Sequence, residues 1–183
     1  MKIIAIFASI LLLAMAGRSI GGVPQNEDLA VLKAATAGSC NSIPGKYVVL
    51  SASTFPVAPV DVTGDLDKTA SSNLLLRNSV PSKLPHVAEL ECNGIKVALD
   101  SRIETLLKDR PTMIGLSKGF EEAFPDSIGI MSLSLPGYSA NKQDALVHMD
   151  LSCGATCGNS QIIHLHKKDG AWVRVRSSNS WLS

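Results

Sequence analysis

The 183 residues are 45% hydrophobic, 18% charged and 4% aromatic, which supplies the apolar mass of one compact domain and excludes a disordered chain. Lysine and arginine number 17 against 16 aspartates and glutamates, and no stretch gathers positive charge into a phosphate-neutralising stripe, so nucleic acid is not expected as a partner. Four Phe, two Tyr and two Trp are too few for a base-stacking platform.

Lys2 leads an apolar run from Ile3 to Leu13, followed by the small-x-small site Ala14-Met15-Ala16. The run is too short to cross a bilayer core of about 30 Å, so residues 1–16 are expected to be a signal peptide cleaved after Ala16. No later segment approaches the roughly 20 apolar residues of a membrane span. Residues 17–183 are then expected to form one exported α+β domain, periplasmic or secreted.

In chain order, Asn26 is placed to cap a helix carrying Leu29, Leu32 and Ala35 on one stripe, with Gly38 as its stop. After a Pro44-Gly45 turn, residues 46–51 read as a strand with Val48 and Leu50 on one side. Residues 55–82 read as mainly irregular, with a short helical hint at Leu74 to Leu76. Asn93-Gly94 between two alternating runs predicts a type I′ hairpin pairing Cys92 with Ile95, Leu90 with Val97 and Ala88 with Leu99, and setting Glu91 opposite Lys96. Ser101 and Glu104 make a capping box for a short helix presenting Ile103, Leu106 and Leu107. A second short helix spans about Ser117 to Phe124 and stops at Pro125.

From Ile128 onward the period is two. Met131, Leu133 and Leu135 alternate with Ser132 and Ser134; Ala145, Val147, Met149 and Leu151 alternate with Leu146, His148 and Asp150. Ile163 and Leu165 alternate with Ile162, His164 and His166; after Asp169-Gly170, Val173 and Val175 alternate with Trp172, Arg174 and Arg176. The expected C-terminal half is an antiparallel meander with one buried face, covered by the short amphipathic helices.

The even cysteine count in an exported chain argues for disulfides. Of three possible pairings, spacing favours Cys153 with Cys157 and leaves Cys40 for Cys92. The alternative, a thiol-disulfide function for the C-x-x-x-C loop, needs a thiolate stabilised by a helix amino terminus or a cation in a C-x-x-C frame, and this loop lies between strands.

Phe124-Pro125, Gly129, Ser132-Leu133-Ser134, Gly137, Ala145-Leu146-Val147, the run Cys153 to Gly158, Lys168 to Trp172 and the ending Trp181-Leu182-Ser183 resemble a group of uncharacterised exported bacterial proteins that share a CGxxCG-type loop between strands and a tryptophan-serine ending. The resemblance covers the C-terminal third and implies export, with no activity to inherit. This chain differs in having three residues between its cysteines and in its histidines.

Those histidines carry the sharpest chemistry. His164-x-His166 sets two imidazoles on one strand face, and His148 falls on the same face of the neighbouring strand. Three such ligands could hold zinc facially with an open position for hydroxide, and Asp150 could orient one ring. The simpler expectation is a solvated polar face, because Arg174 and Arg176 would repel a cation. Gly115 to Gly119 matches G-x-S-x-G, but lacks the buried parallel strand that a nucleophile elbow needs, and Ser117 reads as a helix cap. Glu121 and Glu122 are adjacent on a helix and point apart. No catalytic residue is assigned. The expected function is that of a non-enzymatic binding or structural domain for a protein or small ligand, with a three-histidine metal-dependent hydrolase as the alternative.

Overall fold

The computed structural model describes residues 25–41, 43–62, 66–99, 101–103, 105, 119–153 and 157–182. The signal-peptide segment, the G-x-S-x-G stretch up to Lys118, and Glu104, Leu106 and Leu107 lie outside them. Among the described residues no helix is long and apolar enough to cross a membrane.

Helix α1 spans Gln25–Cys40, with Glu27 and Asp28 in its first turn, where carboxylates complement the helix dipole. Its expected stripe is buried as one row: Leu29, Leu32 and Ala35. The helix starts one residue before Asn26 and continues past Gly38, because Cys40 is bonded to Cys92 and the bridge holds the last turn against the sheet edge.

Strand β1 (Tyr47–Ser51) is buried at its first four residues, the near-continuous apolar run of a strand covered on both faces. It lies parallel to β2 (Ile95–Ala98) on one side and parallel to β3 (Ser127–Leu133) on the other. Strands β4 (Gly137–Tyr138), β5 (Asp144–Ser152), β6 (Gly158–Lys168) and β7 (Ala171–Leu182) complete a seven-stranded mixed sheet of order β2-β1-β3-β5-β6-β7, with β4 paired to β5. The fold is α+β and mostly antiparallel. It is not the simple meander expected.

The hairpin forms only at its turn. Cys92 and Ile95 exchange two backbone hydrogen bonds of 3.1 Å, but Val87–Leu90 is a 3₁₀ turn, and the Leu90–Val97 and Ala88–Leu99 pairs are not made. The rest of β2 joins β1, whose apolar faces offer a fuller ladder. Glu91 accepts from the Val97 amide at 2.9 Å, and Lys96 sits over the Tyr47 ring instead.

Within residues 55–82 the helical hint at Leu74 to Leu76 belongs to a longer helix than expected: α2 spans Lys68–Arg77, and Asp67 caps it by accepting from the Ala70 amide at 2.7 Å. Ala70 and Leu74 of α2 pack with Val57, Leu146 and Ile162. Gly137 lets β4 lie directly on this helix, since a Cβ there would come within 2.4 Å of the Leu74 nitrogen. The sheet is therefore covered on both faces: α1 on the side of Val147, Ile163 and Leu165, α2 and the segment around Val57 on the side of Leu146 and Ile162.

On β7 the expected phase is inverted. Trp172 is buried, while Val173 and Val175 are 41% and 57% exposed. The indole lies against Tyr138, with ring centroids 6.0 Å apart, and its Nε1 donates to Glu27 Oε1 at 2.8 Å. Burying the larger apolar group with its one donor satisfied outweighs burying a valine.

Candidate functional site

The β5–β6 register pairs Asp144 with His166, Leu146 with His164, His148 with Ile162 and Asp150 with Ser160. All of these point to the α2 side, so the three histidines do share a face. They do not converge. His148 lies one row beyond His164, about 7 Å along the strand, and its side chain is taken up locally. His148 Nε2 shares a hydrogen bond of 2.6 Å with Ser160 Oγ, and the ring packs 4.9 Å from that of Phe55. His164 Nε2 and His166 Nδ1 instead both approach Asp144 Oδ1, at 3.0 and 2.9 Å. Among the described residues no three histidines, cysteines or carboxylates form a group that could hold a metal ion.

The electrostatics follow from this division. Burial alone would raise the Asp144 pKa, but the hydrogen bonds from His166 and His164 outweigh it and hold the carboxyl below its ordinary value. Burial pushes the His148 imidazole below the usual histidine range, against the opposing charges of Asp150 and Asp61. His148 is 2% exposed, so the expected solvated face is replaced here by a covered one. Ser160 and His148 do not make a hydrolytic pair. Ser160 is fully buried, and Asp150 lies 3.7 Å from the same Nε2 that meets the serine, whereas a relay needs the acid on Nδ1. His148 Nδ1, His164 Nδ1, Asp150 Oδ1 and Ser178 Oγ are buried without hydrogen-bond partners; Ser178 belongs to the same face, opposite Ile162.

A second polar cluster had no sequence signal, because its members are far apart in the chain. Asp28 is buried against α2 and β4. Arg77 donates to both its oxygens, at 3.0 and 2.6 Å, and to the Pro136 carbonyl at 2.6 Å; Tyr138 Oη donates to Asp28 at 2.8 Å. Burial and the adjacent Asp28 charge raise the Tyr138 pKa. Burial lowers the Arg77 pKa, but the Asp28 hydrogen bonds and charge more than offset it. Glu27 is held low chiefly by its hydrogen bond from Lys167, at 2.6 Å.

The cysteines form Cys40–Cys92 and Cys153–Cys157, the pairing read from spacing and elimination, and no described cysteine is free. Gly129 makes room for the second bridge, as a Cβ there would lie 3.1 Å from Cys153 Cβ. A cleft of about 390 Å³ opens beside Cys40, between the Pro44-Gly45 and Asn93-Gly94 turns; its Lys46 is ion-paired to Asp126 at 3.0 Å. Ser101 is already helical, and Glu121 and Glu122 are exposed on the helical turn of residues 119–123.

The sheet has β2 and β7 as its outer strands among the described ones. β7 runs for 12 residues and pairs with β6 alone among the described strands. Its side chains from Val173 to Ser177 are all exposed. Arg174 donates to Gln161 Oε1 at 3.0 Å, and Arg176 lies opposite His164.

Comparison of the chain with family models, with curated proteins and with solved structures gives no match.

Proposed function

We propose that this protein is an exported, disulfide-stabilised binding domain without catalytic activity of its own, and that it engages a partner protein by accepting an extended segment along the open edge of β7. The observation that carries this reading is the edge itself: a 12-residue strand whose one partner among the described strands is β6, with Val173 and Val175 exposed on it. An unpaired strand edge offers a row of backbone donors and acceptors, and strand addition is a recurrent way of using them. The apolar run before Ala16 and the two bridges support export.

The test is amide hydrogen exchange on the purified protein, alone and after incubation with a concentrated exported fraction. Slowed exchange concentrated in residues 171–182 is the expected result. Protection confined to the histidine face or to the cleft beside Cys40, or no protection, would contradict the reading.

A further inference from the structure

We infer that Asn93 is a site of spontaneous covalent modification, where the Gly94 backbone nitrogen closes a succinimide on the Asn93 side chain and water opens it to aspartate and isoaspartate. The site adjoins β2, at the opposite end of the sheet from β7, and is independent of the edge reading. Asn93 is the asparagine of this chain that glycine follows, and a glycine has no side chain to shield its nitrogen or restrict its backbone. The Asn93 side chain is exposed. The peptide plane joining it to Gly94 is unanchored: among the described residues neither the Asn93 carbonyl, nor its side-chain amide, nor the Gly94 N–H makes a hydrogen bond. The flanking groups are fixed, since Cys92 and Ile95 exchange two bonds and the Gly94 carbonyl accepts from the Val48 amide at 2.9 Å. Neither turn residue takes the positive φ of a type I′ turn, and turns of the other hand splay the strands that follow. Gly94 has little surface of its own but lines the cleft beside Cys40, which admits water. Other asparagines are tied down. The Asn78 amide spans Leu74 and Leu135, Asn73 accepts from the Tyr138 amide, and Asn141 accepts from Ser139 and the Gln143 amide.

In the first step the Gly94 nitrogen passes its proton to hydroxide and attacks Asn93 Cγ. An N–Cγ bond forms, and the side-chain nitrogen takes a proton from water and leaves as ammonia. Water then adds to one of the two ring carbonyls. Addition at Cγ breaks the new bond and gives aspartate. Addition at the main-chain carbonyl carbon breaks the original peptide bond and gives isoaspartate, in which the chain runs through Cβ and Cγ. Each route consumes one water, releases one ammonia and transfers no electrons. Both products add a negative charge beside the cleft. Isoaspartate alone lengthens the chain between Cys92 and Ile95 by one backbone atom, so the pair of bonds that closes the turn cannot be kept as it is.

The experiment holds the intact oxidised protein at mildly alkaline pH in water enriched in heavy oxygen, beside a guanidinium-unfolded sample of the same chain, and maps both by mass spectrometry without reduction. In the folded protein Asn93 is expected to convert before any other asparagine, taking up one heavy oxygen. Its rate should lie within about tenfold of that in the unfolded sample, because a turn closed by a single rung opens readily. Gly94→Ala should slow the conversion about tenfold, as a Cβ shields and stiffens the attacking backbone. Asn93→Gln, a change at an exposed side chain, should remove the acidic charge variant that accumulates in the parent protein. The isoaspartate fraction, isolated by ion exchange, should melt below the Asn93→Asp variant, whose turn keeps its length. The inference is overturned if Asn93 stays intact in the folded protein while the unfolded chain converts, or if another asparagine converts first. Persistence of the acidic variant in Asn93→Gln, an undiminished rate in Gly94→Ala, or equal melting of the isoaspartate fraction and Asn93→Asp would overturn it as well.

Discussion

The two sides of the sheet handle buried polarity in opposite ways. On the α1 side every oxygen of Asp28 has a donor, from Arg77 and Tyr138, and Glu27 receives both Lys167 and Trp172. On the α2 side the His148–Ser160 pair is made, yet His148 Nδ1, His164 Nδ1, Asp150 Oδ1 and Ser178 Oγ lack partners. A fully satisfied buried network rigidifies the elements it joins, whereas a partly satisfied one costs stability. The lesson is that polar residues under a helix are not evidence of a site: the satisfied cluster fastens α1 to α2 and β4, and the partly satisfied one gives up stability.

The largest expected effect breaks the strong side. Asp28→Ala leaves the Arg77 guanidinium and the Tyr138 hydroxyl without their acceptor, and should cost about 3–5 kcal/mol in denaturant unfolding. Next, Ser160→Ala removes the partner of His148 Nε2 and should cost about 1–3 kcal/mol. Adding His148→Leu in the same chain should recover most of that loss, because both polar groups are then gone. If the double variant is no more stable than Ser160→Ala alone, the histidine face is better satisfied than its geometry indicates.

Acid should separate the two sides further. The unfolded chain protonates its histidines near pH 6.5, while burial keeps His148 below that range. Stability from this group is full above about pH 6.5 and declines as pH falls toward the folded value. Asp144, also held low, contributes stability above the ordinary carboxylate range near 4 and loses it on further acidification. Wild-type melting temperature should therefore drop as pH is lowered from 7 to 5, and His148→Leu should flatten that part of the curve. The smallest effect is expected from zinc. Because His164 and His166 are spent on Asp144 and His148 on Ser160, stoichiometric zinc at neutral pH should leave the melting temperature unchanged. A rise that His164→Ala removes would return the three-histidine hydrolase to consideration.

Elements with one apolar and one polar face were legible in the residue order. Leu29, Leu32 and Ala35 mark α1 by their spacing; Ala145, Val147 and Met149, with Ile163 and Leu165, mark the inner faces of β5 and β6. Periodicity fails where an element is covered twice. Leu146, His148 and Ile162 are buried on the second face, which two-state alternation assigns to water. It fails at α2 because Leu74, Leu75 and Leu76 are consecutive and Leu76 is 74% exposed, so no stripe stands out and the Asp67 cap is the clearer sign. Around Asn93-Gly94 the alternation was real, but alternation does not name the neighbour, and β1 competed for β2 successfully. On β7, Trp172 reversed the phase through Glu27, a partner 145 residues away. Of the candidate site, the common face of the histidines was readable; their division between Asp144 and Ser160 depends on row-by-row register.

The Cys40–Cys92 bridge joins positions 52 residues apart, and the ring it closes contains β1 and α2. A protease that makes a single cut anywhere within this ring releases no fragment, because the two new ends stay tethered through the sulfurs. Strand β1 and the helix that delivers Arg77 to Asp28 are thus retained after nicking, until a reductant opens the bridge. In an oxidising, protease-containing compartment, cleavage in this stretch would leave a nicked but covalently whole molecule.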